Sequence, residues 1–247
     1  MAFESRVSAL MLLLTGVLLV GCDTTFTEPG PAYEDYFPLR VGARWDFQVD
    51  SVIYRETTDN DTTSWLVREE VVDSYTDLEG LPAFVIRRSM RADASANWRI
   101  EDTWTARLNG DKGEKVEDNL RFIRLVFPPS EGLIWKGHAY LGGLATIPVA
   151  ENCNNLSFLE DWDFTYGAVH RPWSDGSLSF DSTLTVLEAG EINLIEFNEA
   201  EAVYAIGVGM VYRRFAHLTT QTICPDCPWE EKAECGYSFE QRLVDWE

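Results

Sequence analysis

Apolar and polar residues alternate with period two along much of the chain, and that period predicts strands. Trp45, Phe47 and Val49 interleave with Asp46, Gln48 and Asp50, the signature of a half-buried strand. Trp65–Asp73 predicts a second strand after the polar turn Asp59-Asn60-Asp61, and Ala83–Ser89 a third after Glu79-Gly80. In Asn97–Trp104 the set Trp98, Ile100 and Trp104 is expected on one face, with Arg99, Glu101 and Thr103 on the other. Asn109-Gly110 predicts a tight hairpin, whose two central residues both need positive φ. Leu120–Phe127 is more continuously apolar and stops at Pro128-Pro129, because proline removes ladder donors.

The middle, Ser130–Gly176, loses the alternation and carries Trp135, Cys153, Trp162 and Trp173 among Gly and Asn residues. It predicts long loops with short strands and one helical turn near Leu156–Trp162. After Asp175-Gly176, Leu178–Leu187 alternates again, and Ile192–Phe197 predicts a further strand. Ala205–Tyr212 leads into a long strand ending near Ile223, with Gly207 and Gly209 marking a bend or bulge. Tyr237–Trp246 closes the set, which makes Cys224–Gly236 the loop of a terminal hairpin. No long helical period and no repeat of solenoid length interrupts this. The expectation is an all-β, mainly antiparallel fold: a strongly curved sheet, half-barrel or barrel-like, with long middle loops. Its one-sided aromatic residues need a cover, either a second sheet or a bound apolar ligand.

One stretch breaks the β pattern. Val7–Gly21 is an apolar run of 15 residues preceded by Arg6, shorter than the roughly 20 that a spanning helix needs. It ends in Leu19-Val20-Gly21-Cys22, which resembles a bacterial lipobox. That resemblance implies removal of residues 1–21 and acylation of Cys22. Several chains acting together hold firmly, each buried methylene contributing about 0.8 kcal/mol. Residues 22–35, rich in Thr, Pro, Glu and Gly, then read as a flexible tether, and residues 36–247 as a single β-rich domain. The implied address is the cell envelope, lipid-anchored, with the outer membrane expected and the chain facing the periplasm or the surface. Asp23, which in enterobacteria resembles an inner-membrane retention signal, leaves the leaflet open.

Charge and cysteines sharpen that picture. The chain carries a formal charge of −21, unchanged by loss of a leader holding Glu4 and Arg6, and this excludes nucleic acid as a partner. Beyond Cys22 the chain has Cys153, Cys224, Cys227 and Cys235, an even set that in an exported chain predicts two disulfides. Cys224–Cys235, stapling the terminal hairpin, with Cys153–Cys227 is the favoured connectivity. A metal site and a redox pair at Cys224-Pro225-Asp226-Cys227 are the alternatives. The redox pair would need the first cysteine at a helix N-terminus, where the dipole stabilises thiolate.

Two stretches carry a family resemblance. Tyr36-Phe37-Pro38-Leu39-x-x-Gly42-x-x-Trp45 followed by Phe47-Gln48-Val49-Asp50-Ser51 is one. Leu125-Val126-Phe127-Pro128 with Trp135-Lys136-Gly137, then Tyr204-Ala205-x-Gly207-Val208-Gly209-x-Val211-Tyr212, is the other. Both are similar to segments of uncharacterised lipoproteins of the Bacteroidetes group, departing from them at Gly137-His138. The resemblance implies an address and a β fold, and no reaction.

Catalytic motifs are absent from the sequence. Gly207-x-Gly209 lacks a third glycine and a following helix, so it is no dinucleotide fingerprint. Asp59, Asp61, Thr63 and Glu70 fit a calcium-loop count, but Ser64 stands where the loop requires glycine. Glu160, Asp161 and Asp163 are a chance-level acidic group, and His138, His170 and His217 have no metal spacing. His217 is expected at the surface or half-buried. The sequence therefore predicts a non-catalytic envelope module with no metal or cofactor, joined to a membrane through Cys22, whose occupant is a protein partner or an apolar ligand. The second possibility makes it a carrier. Trp45, Trp98 and Trp104 are the aromatic residues expected either to pack in a core or to face that ligand.

Overall fold

The structure is a computed structural model, which describes residues 33–56, 59–141, 146–147, 156–157 and 162–247. The leader, Cys22 and Cys153 lie outside the described residues. Twelve strands form one antiparallel sheet. Six come first: β1 (Arg44–Arg55), β2 (Asp61–Thr76), β3 (Pro82–Arg91), β4 (Arg99–Asn109), β5 (Lys112–Glu117) and β6 (Leu120–Val126). The other six are β7 (Ile134–Trp135), β10 (Phe164–Ser174), β11 (Ser179–Ile192), β12 (Glu196–Ala205), β13 (Gly209–Thr219) and β14 (Cys235–Trp246). A separate two-stranded ladder pairs β8 (Thr146–Ile147) with β9 (Leu156–Ser157).

Each strand lies beside its chain neighbour, and β1 pairs with β14 along its whole length. The sheet curls until its outer strands approach, nearly closing a barrel. The seam is stitched by several hydrogen bonds. The Ile123 amide donates to the Gly137 carbonyl at 2.8 Å, and Trp135 Nε1 donates to the Ile123 carbonyl at 2.9 Å. The Tyr166 hydroxyl accepts from the Val126 amide at 3.0 Å and donates to its carbonyl at 2.9 Å. Closure satisfies edge groups that an open sheet would leave bare. It also turns the inner face of every strand toward a shared interior.

One end of that interior is plugged. A 3-10 turn, Tyr33–Tyr36, and the Phe37–Leu39 stretch after it lie across the barrel end that holds the β12–β13 turn. The Gly207 amide donates to the Asp35 carbonyl at 2.8 Å, and the Tyr36 hydroxyl meets His170 Nδ1 at 2.8 Å and Ser182 Oγ at 2.6 Å. Phe37 fits because residue 113 is glycine: a Cβ there would stand 3.2 Å from its ring. Below the plug, Val71, Ile86, Leu125, Leu184 and Ala202 form the main apolar core. A second core gathers Phe47, Val49, Val67, Val203, Val211 and Leu243.

Several expected elements move. The β4–β5 hairpin turns on Gly110-Asp111, one residue later than expected, with only Gly110 at positive φ (60°). The expected irregular middle holds the eleven-residue strand β10, whose three register shifts against β11 erase its alternation. Leu156 and Ser157 are extended rather than helical, and the remaining residues up to 161 lie outside the described ones. The expected strand Ile192–Phe197 is split: Ile192 ends β11, Glu196 and Phe197 begin β12, and residues 193–195 form the turn between them. Asn193 folds the backbone there through its side chain, accepting from the amides of Ile195 and Glu196 at 3.0 and 2.9 Å. Gly207 and Gly209, at φ 73° and 93°, make the β12–β13 turn itself, so the expected long strand begins only at Gly209. It ends at Thr219, four residues earlier than expected.

An aromatic cavity above a buried ionic layer

Midway down the barrel, inward positions of five strands carry charge. Lys115 and Glu117 come from β5, Arg124 from β6, Glu188 from β11, Arg213 from β13 and Glu69 from β2. Arg124 Nη2 donates to Glu117 at 2.7 Å and its Nη1 to Glu188 at 3.0 Å. Arg213 bridges the same two carboxylates at 3.3 and 3.2 Å, and Lys115 holds Glu69 at 2.8 Å. Three cations meet three anions. Burial alone pushes the Glu117 carboxyl up, but Arg124, Lys115 and Arg213 outweigh it and hold the acid far below the ordinary range. Glu117 therefore stays ionised at neutral pH, and the layer closes off the plugged half of the barrel.

Beyond the layer, in the half away from the plug, lies a cavity of about 430 Å³. Its wall mixes aromatic side chains, among them Trp65, Trp104, Phe122, Trp162, Phe215 and Phe239, with the charged Arg88 and Asp118 and the inner face of the ionic layer. That volume lies within the roughly 300–1,000 Å³ of small-molecule sites, and the wall offers both aromatic surface and charged groups. His138 also lines it. Burial pushes its pKa down to about 4, so the ring is neutral at pH 7. Asp102 and Asp118 hydrogen-bond each other, which raises Asp118 and lowers Asp102; both accept from Trp104 Nε1 at 3.2 Å.

The structure separates the three expected tryptophans. Trp104 is nearly buried and lines the cavity. Trp45 packs between the two cores below the plug, donating its Nε1 hydrogen to the Val208 carbonyl at 2.5 Å, beside a gap of only about 50 Å³. Trp98 does not share the inward face with Trp104. A bulge on β4, where Arg88 and Ser89 oppose Asp102 and Ile100, inserts Glu101 and turns the preceding residues outward. Ile100 is accordingly 62% exposed, and Trp98 lies clamped by Arg68 and Arg91, each 4.4 Å from its ring.

The cysteines correct another expectation. Cys224 bonds to Cys227, not to Cys235. The turn through Pro225-Asp226 brings the two Cα atoms within 5.4 Å, well inside disulfide reach, whereas Cys235 sits on β14 opposite Thr219. Cys235 is also disulfide-bonded. Cys224 precedes a single helical turn, α1 (Trp229–Lys232), rather than heading a helix.

The other candidates disperse. Asp61, Thr63 and Glu70 run along the extended β2, roughly 30 Å from end to end at about 3.3 Å per residue, so they cannot converge on one ion. Asp61 pairs with Arg55 at 2.6 Å, Glu70 with Arg87 at 2.7 Å and Asp163 with Lys136 at 2.8 Å. His217 is buried, not at the surface: its Nδ1 meets Asn198 Oδ1 at 2.5 Å inside the β12–β13 pair. Comparison with protein-family models, with curated proteins and with solved structures returns no match. The ionic layer went unforeseen. Its only sequence trace is the run Lys112–Glu117, which reads as a solvated strand although its Lys115 and Glu117 face inward.

Proposed function

We propose that the chain is a lipid-anchored envelope protein that binds a small apolar or amphipathic ligand inside its barrel, by binding and not by catalysis. The observation that carries this reading is the aromatic cavity of about 430 Å³. The curled sheet leaves space beside Trp65, Trp104, Phe215 and Phe239 that a ligand can fill. The barrel end opposite the plug adds support. Ile192, Leu194, Ile195 and Ile223 are exposed there, and the Thr220 amide joins their two loops by donating to Ile195 at 3.0 Å. An apolar rim suits delivery of a poorly soluble molecule. Attachment of the chain to a membrane through acylated Cys22 belongs to the same proposal and rests on the lipobox.

The test uses the chain from Asp23 to Glu247, since every strand and both cores lie within the compact unit Tyr33–Glu247. Native mass spectrometry with lipid extraction should find a one-to-one apolar ligand, or uptake of one with quenching of tryptophan emission. A clean apo mass with no uptake would leave a protein-interaction module instead. The anchor is tested separately: metabolic labelling with radioactive palmitate should mark the full chain and not Cys22→Ala.

A further inference from the structure

The cavity wall carries one guanidinium whose acidic neighbours are engaged elsewhere. Arg88, on β3, faces Glu69 and Asp102 across the two adjoining ladders. Glu69 is held by Lys115 at 2.8 Å, and Asp102 by Asp118 and Trp104. Arg88 makes no ion pair among the described residues; it rests against the Trp104 ring, 4.8 Å from its centre. The cations of the ionic layer differ, each bound to at least one carboxylate. A second wall residue points the same way. Gln241 is 6% exposed, and among the described residues its Nε2 has no hydrogen-bond partner, nor have Arg88 Nε and Arg213 Nε on the same wall, a state that Arg55 and Arg91 share elsewhere. Buried donors left unpaired are costly, so a folded protein rarely keeps them without use.

We propose that the ligand is an amphiphile with a single carboxylate head, which Arg88 binds while the aromatic wall holds its hydrocarbon body. A guanidinium grips a carboxylate through two parallel N–H···O bonds, which a hydroxyl head cannot reproduce. Gln241 supplies a further polar contact to the bound molecule. The inference rests on the ligand-binding reading above.

Displacement of the neutral fluorophore N-phenyl-1-naphthylamine from the Asp23–Glu247 chain separates the two. Laurate should displace it at least tenfold more tightly than dodecanol, the span of a charge-assisted hydrogen bond. Arg88→Met should remove that preference while leaving dodecanol unchanged, and Arg88→Lys should retain part of it. If Arg88→Met does not fold, the laurate–dodecanol comparison on the unaltered chain decides alone. Equal displacement by acid and alcohol overturns the carboxylate assignment and leaves the cavity reading intact. Tighter displacement by dodecyl phosphate than by laurate overturns it in favour of a phosphate head. No uptake of the fluorophore or of any of the three amphiphiles overturns both.

Discussion

Replacing Glu117 with glutamine tests the ionic layer with almost no change of shape. The carboxylate lies 2.7 Å from Arg124, 3.3 Å from Arg213 and 3.6 Å from Lys115, with its side chain 12% exposed. Glutamine keeps an acceptor oxygen but leaves three buried cations facing only Glu69 and Glu188. Removing one partner of a buried ion pair costs about 3–5 kcal/mol, because the remaining charge stays desolvated. For a domain of this size each kcal/mol lowers Tm by about 2–4 °C, so Glu117→Gln should melt roughly 6–20 °C lower at pH 7. The pH dependence carries a second signature. The Glu117 carboxyl is held below its unfolded-state value of 4.5, so its contribution is present at neutral pH and drains away as pH falls below about 4.5. The gap between the parent chain and Glu117→Gln should therefore narrow in acid. Calorimetric melts from pH 7 to pH 3 measure both effects. A loss under 1 kcal/mol at pH 7, or a gap that stays constant with pH, would refute the idea that this layer holds the barrel's middle together.

Other outcomes follow from single sites. His138 is neutral in the fold with a pKa near 4 against 6.5 unfolded, so its contribution is complete above pH 6.5 and falls by about 3 kcal/mol between pH 6.5 and 4. In urea titrations across that window His138→Phe should flatten the profile, and an unchanged slope would count against a buried neutral ring. Gly236, at φ 142°, has no room for a Cβ, which would strike the His217 carbonyl oxygen and lie 2.8 Å from Leu218 Cα. Gly236→Ala should cost more than about 3 kcal/mol, beyond ordinary overpacking, as read from denaturant midpoints; near-parent stability would show that the β13–β14 spacing relaxes freely. Leu184→Ala, in the main core at 0% exposure, should cost about 2–5 kcal/mol in the same assay. Peptide mapping without reduction should recover Cys224 linked to Cys227, and a Cys224–Cys235 peptide would contradict the loop geometry.

Strands were legible wherever one face meets solvent and the other the apolar core. β1, β2, β3 and β11 keep that contrast, and the alternation of Trp45 to Asp50 or Leu178 to Leu187 places them. β10 was not legible, because its register shifts and the positive φ of His170 (53°) break the period before it can be counted. The bulge at Glu101 reversed the expected face of Trp98 for the same reason: one inserted residue shifts every side chain before it to the other side. The site failed differently. Lys115, Glu117, Arg124, Glu188 and Arg213 face inward, where polar residues are read as outward. Only closure of the sheet brings strands so far apart in sequence around one interior. Pairing of cations with carboxylates there is a property of the assembled barrel, and no local window contains it.

The joint between β1 and β14 bears on how such a barrel comes into being. Ser51 pairs with Phe239, so β1 waits for a segment 188 residues further along the chain before its second side is covered. The runs β1–β6 and β10–β14 can each zip up from neighbouring hairpins, a fast and local process. Each is then an open sheet with bare hydrogen-bonding margins, and the two must find one another twice, at β1–β14 and at the β6–β7 seam. Joining distant segments is slow, and uncovered margins invite pairing with other molecules. The β1–β14 joint is thus the pairing of longest reach in the sheet, and until it forms the margins it covers are open to other molecules.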